Sequence, residues 1–255
     1  MASAAWLAAL QLLLGLACVV SSPIQWQAID PVGLSPTVRH SHASTSFTSA
    51  QGLVYIYGGA SRTSESGPIT YLDDTWLYDS AAQGWEQVEF HNESRLACPV
   101  EDVINKEIPS ARGGHTMATV GPHALTCGGH NTTVLGQFRF QSKNGLMDCY
   151  WFTPVPQARW DPLKFKAGPA PGPRTYHTMV FDDAGITVNG TTTHYLVLFG
   201  GLGQSDRLLG DCWFLDFTDT QIPLVYTYEL EWKTCMPQSG TGPSARFGHG
   251  SVLFR

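Results

Sequence analysis

Charge is scarce in this sequence: only 14% of its 255 residues are Asp, Glu, Lys or Arg. Long amphipathic helices need a charged outer face, so this scarcity argues against a helical protein. Basic runs are missing too. Fifteen Lys and Arg are scattered among twenty-one Asp and Glu, for a net charge of −6. That balance argues against a nucleic-acid partner, because phosphate contacts need a clustered basic patch. No Cys-x-x-Cys occurs, which leaves a structural zinc site without its common ligand spacing. Only one long apolar run exists, at the N-terminus. What is plentiful is glycine (26), proline (16) and aromatic residues (11%). With 43% hydrophobic residues, the chain has the makings of a turn-rich β protein with a sizeable core.

The N-terminal run, WLAALQLLLGLACVV (Trp6–Val20), is followed by Ser21, Ser22 and Pro23. It is short for a membrane span and has the form of a secretory h-region, although the n-region lacks Lys and Arg. Val19 and Ser21 fit the −3 and −1 positions of a cleavage site, so a signal peptide over 1–21 is expected; the alternative is an uncleaved anchor. Three N-x-[ST] sequons, at Asn92, Asn131 and Asn189, agree with a secretory route and make those residues expected glycosylation sites.

YLVLFGGLG (195–203) resembles the start of a dinucleotide-binding turn, but Asp206 stands where the third glycine belongs and LGDCWFLD continues as a strand rather than a helix. The stretch also recurs. Apolar runs end in double glycines at Gly58–Gly59, Gly128–Gly129 and Gly200–Gly201, 70 and 72 residues apart. Pro-x-x-Arg-x-x-His occurs four times, with Arg39, Arg112, Arg174 and Arg246 preceding His42, His115, His177 and His249. After each double glycine come an acidic residue and an aromatic cluster, then a lone tryptophan: Trp85, Trp160 and Trp232. Such self-similarity marks a repeat architecture.

In these marks the chain resembles the kelch repeat, in which each unit forms one four-stranded blade of a β-propeller. The resemblance covers nearly all of the chain after the signal segment. It implies an all-β fold with an inner strand a after Arg-x-x-His, a strand b ending in the double glycine, a strand c with the aromatic cluster and a strand d with the tryptophan. Blade one is then expected over 36–90, blade two over 109–165 and blade three over 171–235. Trp26 lies ten residues before Pro36, so 24–30 is expected as a strand d that completes a later blade. Residues 243–255 are expected to begin a fourth blade. Propellers have about four to eight blades. Three full blades therefore imply an incomplete ring, a fragment or short form whose further C-terminal blades would close it.

Strand adjacency predicts two disulfides, Cys212–Cys235 and Cys127–Cys149, in an oxidising compartment. Cys98 is left for a partner beyond Arg255. The four arginines form a candidate ring for an acidic ligand, weighed against a role in ordering their own blades. The four histidines are weighed as metal ligands against hydrogen-bonded structural groups. The kelch resemblance implies a secreted or cell-surface module, similar to attractin-like proteins, that binds a protein or glycan without a cofactor. The alternative is the N-terminal part of a galactose-oxidase-like copper enzyme. Tyr150 adjoins Cys149, but direct neighbours do not recreate that family's crosslink between distant residues, and no copper ligand set can be assigned.

Overall fold

The computed structural model describes residues 30, 33–47, 52–64, 67–90, 108–131, 146–154, 158–235 and 242–254. The chain divides into Met1–Asp30 and Pro31–Arg255. Of the first unit only Asp30 is described. The expected signal segment, Trp26, Asn92 and Cys98 lie outside the described residues.

The second unit is all-β. Three four-stranded antiparallel sheets follow one another, each with its strands side by side in chain order. Blade one has strands a to d at Ala43–Ser46, Leu53–Tyr57, Thr75–Asp79 and Gly84–Gln87. In blade two they are Thr116–Val120, His123–Cys127, Cys149–Thr153 and Arg159–Pro162. Blade three has Thr178–Val188, Thr191–Leu202, Leu208–Thr218 and Lys233–Thr234. Strand a of blade two lies against strand a of blades one and three, so these strands are innermost. The result is an incomplete β-propeller.

Period-two alternation explains how one sheet holds two neighbours. In blade two, Ala124, Tyr150 and Phe152 face blade one, where they meet Phe47, Tyr55 and Tyr57. Leu125, Cys127, Cys149 and Trp151 face the other way and pack with Leu198 and Leu215 of blade three. Both faces are buried, which is why strands b and c carry so few polar residues. Trp160 is buried in the first interface. Trp232 sits just ahead of its short strand d, where it is buried and stacks on Phe165 at 5.7 Å. A parallel ladder of Lys164–Phe165 with Glu229–Leu230 ties the outer rims of blades two and three together.

The hairpin joining strands a and b of blade three turns on Asn189 and Gly190, with φ of 51° and 80°. Two residues with positive φ are what a type I′ turn requires, and Asn-Gly meets that need. Both predicted disulfides are present. Cys127 and Cys149 are direct partners across the ladder, and Cys212 joins Cys235.

Residues 242–254 occupy the inner position beside blade three, held by Arg246 N–H to the Leu209 carbonyl (3.0 Å) and Gly248 N–H to the Tyr176 carbonyl (2.9 Å). They form no ladder, so the strand expected there is not assigned. A strand needs a hydrogen-bonded neighbour, and none pairs with them among the described residues. Val252 and Phe254 are accordingly exposed.

At each double glycine the next repeat crowds the first glycine, and the blade's own Arg-x-x-His segment crowds the second. Gly129 has φ +98°, and an added Cβ would lie 2.9 Å from the Gly113 carbonyl oxygen and 3.0 Å from His115 Cβ. Gly129→Ala is expected to lower stability by about 2–4 kcal/mol, combining backbone strain with a clash. Gly172→Ala, with nothing within 4 Å of its added Cβ, is expected to change stability by less than about 0.5 kcal/mol. Urea unfolding of the two variants measures the difference.

Candidate functional site

The face that carries the Arg-x-x-His segments gathers most of the polar side chains with tertiary partners. Its first layer is a set of guanidinium clamps. Arg112 Nε donates to the Ser110 carbonyl (2.9 Å), Nη1 to the Gly128 carbonyl (3.1 Å) and to Asp148 Oδ1 (2.8 Å), and Nη2 to Asp148 Oδ2 (2.9 Å). Arg174 repeats this with Gly172, Gly200 and Asp211, and Arg39 with Thr37, Gly58 and Asp74. Each clamp thus joins the start of strand a, the double glycine and the start of strand c within one blade. Arg112 and Arg174 are almost wholly buried. The aspartates were visible in the sequence only as an acidic residue after each double glycine. Asp74-x-Trp76, Asp148-x-Tyr150 and Asp211-x-Trp213 are the fuller signal. Trp76 and Trp213 each donate their indole N–H to the same aspartate at 2.6 Å. Burial raises the carboxyl pKa of Asp74 and Asp211. The hydrogen bonds from arginine and tryptophan outweigh it and hold both below the ordinary carboxylate value.

Arg246 differs from the other three. It keeps the local bonds, Nε to the Ser244 carbonyl (2.9 Å) and Nη2 to Ser244 Oγ (3.0 Å), as Arg112 does with Ser110. Among the described residues it has no aspartate and no double glycine of its own, and it is exposed. Nε and Nη2 are thus held by Ser244, and no carboxylate reaches the guanidinium among the described residues.

The second layer is a backbone belt around the axis. Gly114 N–H donates to the Ser41 carbonyl (2.8 Å), Tyr176 N–H to Gly114 (2.7 Å) and Gly248 N–H to Tyr176 (2.9 Å). All four residues have positive φ, including the non-glycines Ser41 (57°) and Tyr176 (52°). Left-handed backbone at a bulky residue costs of order 1–3 kcal/mol and recurs at functional sites. The Tyr176 ring lies over Gly114, within 3.2 Å of where a Cβ would be, and its hydroxyl is 3.2 Å from Ser41 Oγ. Around it runs a row of rings. Tyr71 meets His130 at 5.3 Å, His130 meets Tyr176 at 5.8 Å, and Tyr176 meets Phe247 at 6.3 Å. Four repeats contribute one ring each.

The third layer is the axial channel, about 290 Å³, lined by His42, His115, His177, His249 and inner-strand residues that include Met117 and Met179. His177 Nε2 bonds Thr116 Oγ1 at 2.9 Å and His249 Nε2 bonds Thr178 Oγ1 at 3.0 Å, each crossing to the preceding blade. His115 breaks the series. The residue at the matching position is Ala43, so no side-chain hydroxyl meets His115 from the preceding blade. Burial pushes His115 and His177 down to about 3, with Arg112 and Arg174 respectively adding to the effect; the Tyr57 carbonyl opposes it at His115. Both rings are neutral at pH 7. Among the described residues no three His, Cys, Asp or Glu converge as a metal ligand set. Asn131 and Asn189 are exposed, Asn131 on the Arg-x-x-His face and Asn189 at the far hairpin tip.

No family model matches this chain. A curated relative, acyl-CoA-binding domain-containing protein 4 of Arabidopsis thaliana, is 25% identical over 231 residues. The match takes in 90% of this chain but only 28% of that protein's length. The solved structure of YjhT aligns with 81% of this chain and 54% of its own, at 18% identity and a TM-score of 0.49.

Two outcomes follow from the buried imidazoles. A pKa depressed on folding means that the unfolded chain takes up protons first as pH falls. The stability tied to neutral His115 and His177 is complete above about pH 6.5 and declines toward pH 3, by on the order of 1 kcal/mol per pH unit for each ring. The Asp74 and Asp211 contributions are lost only below about pH 4. The urea midpoint is therefore expected to fall between pH 7 and pH 5, and a flat midpoint there would contradict buried neutral rings. Ala43→Thr supplies the missing hydroxyl to His115 and is expected to raise stability by about 1 kcal/mol. Chemical denaturation measures that gain.

Proposed function

We propose that this chain is the kelch-type propeller part of a secreted protein and that its Arg-x-x-His face binds a protein or glycan without catalysis. The row from Tyr71 to Phe247, ending beside exposed Arg246, carries this reading. Aromatic rings give contact area at low entropic cost, and a guanidinium fork recognises carboxylates in two-point geometry. The favoured ligand therefore has an apolar or ring face and an acidic group. The chemistry of the other groups supports binding over turnover. A general base works best with a pKa near the operating pH, whereas His115 and His177 are held at about 3 and His130 at about 4. Arg39, Arg112 and Arg174, candidates for an acidic-ligand ring in the sequence, are engaged with their own aspartates. Arg246 is exposed and has no carboxylate partner among the described residues, which leaves it as the candidate of the four. The secretory route rests on the signal-like segment, the sequons and two disulfides.

The test is a binding screen of the purified full chain against an array of glycans and a set of purified extracellular domains. Arg246→Ala and Phe247→Ala are each expected to weaken the selected ligand about tenfold or more while leaving the thermal midpoint nearly unchanged. Arg174→Ala is expected to cost about 3 kcal/mol or more in stability, because it strands a half-buried aspartate. Undiminished binding by both surface variants would move the site elsewhere. Stoichiometric copper with peroxide production would overturn the binding-module reading.

A further inference from the structure

The recess beside Tyr71 is not used by the aromatic row. It has a volume of about 340 Å³ and is lined by Ile69, Thr70, Tyr71, Ser110, Ala111 and Asn131. Apolar groups and a tyrosine ring form its wall, with three hydroxyls, counting that of Tyr71, and one amide. That volume is at the lower end for small-molecule sites and suits a single sugar ring. Asn131 is the sequon asparagine, exposed, and part of the wall.

We propose that the first N-acetylglucosamine of a glycan on Asn131 occupies this recess and packs on Tyr71. The inference rests on the secretory reading above. The position of Asn131 is set by its neighbour. His130 exchanges two backbone hydrogen bonds with Gly113, both 2.9 Å, and its Nδ1 is 3.0 Å from Thr175 Oγ1. Its ring lies between Tyr71 and Tyr176. The asparagine therefore leaves a rigid anchor at the edge of the recess. The second residues after the double glycines in blades one and three are Ser61 and Gly203, so only blade two offers an attachment point here. Asn189 supplies the contrast, because it stands exposed at a two-residue hairpin tip where a Cβ added to Gly190 would meet nothing within 4 Å.

In the attachment, the Asn131 amide nitrogen forms a bond to the anomeric carbon of a polyprenyl-diphosphate-linked oligosaccharide. The bond from that carbon to the diphosphate oxygen breaks, the polyprenyl diphosphate leaves, and the amide gives up one proton. The sugar's apolar face then lies on the ring, while Thr70 and Ser110 offer hydroxyls to its polar groups. Blade one's end of the aromatic row is covered in consequence, and an external partner is directed toward Tyr176, Phe247 and Arg246.

The experiment uses the full chain secreted from a glycosylating host, with glycans trimmed to one N-acetylglucosamine. Peptide mapping is expected to find Asn131 occupied. Asn131→Gln is expected to lower the thermal midpoint by about 2–4 °C, the shift of a modest contact in a domain of this size. Thr191→Ala, which removes the Asn189 sequon, is expected to leave it unchanged. In a Tyr71→Ala background the Asn131→Gln decrement should vanish. If Tyr71→Ala fails to fold, NMR contacts between the acetyl methyl and the Tyr71 ring of the native chain decide the point. A bare Asn131 beside an occupied Asn92 or Asn189 would overturn the inference alone, as would an undiminished decrement without Tyr71 or missing contacts to its ring. Sugar on none of the three would overturn the secretory reading beneath it.

Discussion

A guanidinium withdrawn from water must keep its hydrogen bonds, and the propeller is organised around meeting that demand once per blade. Arg39, Arg112 and Arg174 each bind an aspartate through both terminal nitrogens and bind the first glycine carbonyl of their own double glycine. The geometry is demanding because burial makes an unpaired charge costly. It fixes where strand a begins relative to strands b and c. The following blade then docks by its arginine's backbone: Gly59 N–H to the Arg112 carbonyl (2.8 Å), Gly129 to Arg174 (2.9 Å) and Gly201 to Arg246 (2.8 Å). One residue type thus orders its own sheet through its side chain and the adjoining sheet through its main chain.

The proposed binding role rests on what that scheme leaves over. The charged groups of the first three clamps neutralise each other, and the inner histidines are held neutral by burial. Among the described residues, what this face still offers is the rings of Tyr71, Tyr176 and Phe247 with exposed Arg246, on a scaffold whose positive-φ belt fixes Ser41 and Tyr176 in place. Rigid presentation of a few groups suits recognition better than acid–base turnover.

Much of this was legible in sequence because it is local and repeated. The strand order, the double glycines and both disulfides follow from runs of a few residues whose neighbours along the chain are also neighbours in the sheet. The aspartate partners were half legible. Asp148 stands two residues before Tyr150 where the other blades have tryptophan, which hides the motif. The segment after Arg246 has the sequence of an inner strand but no neighbour to pair with among the described residues, so propensity did not become a ladder.

The sequence by itself determined the repeat, the blade and the covalent staples, since each depends on alternation and spacing within one unit. The tertiary structure alone showed that Arg39, Arg112 and Arg174 are each taken up by an aspartate, because that depends on a residue from another strand arriving. It alone joined Tyr71, His130, Tyr176 and Phe247, which occupy different positions in their repeats and meet only when the blades stack around an axis. It also showed that His115 lacks the hydroxyl its successors have, a consequence of Ala43 in the preceding blade. Contacts between repeats carry no fixed sequence spacing, and the site is made of such contacts.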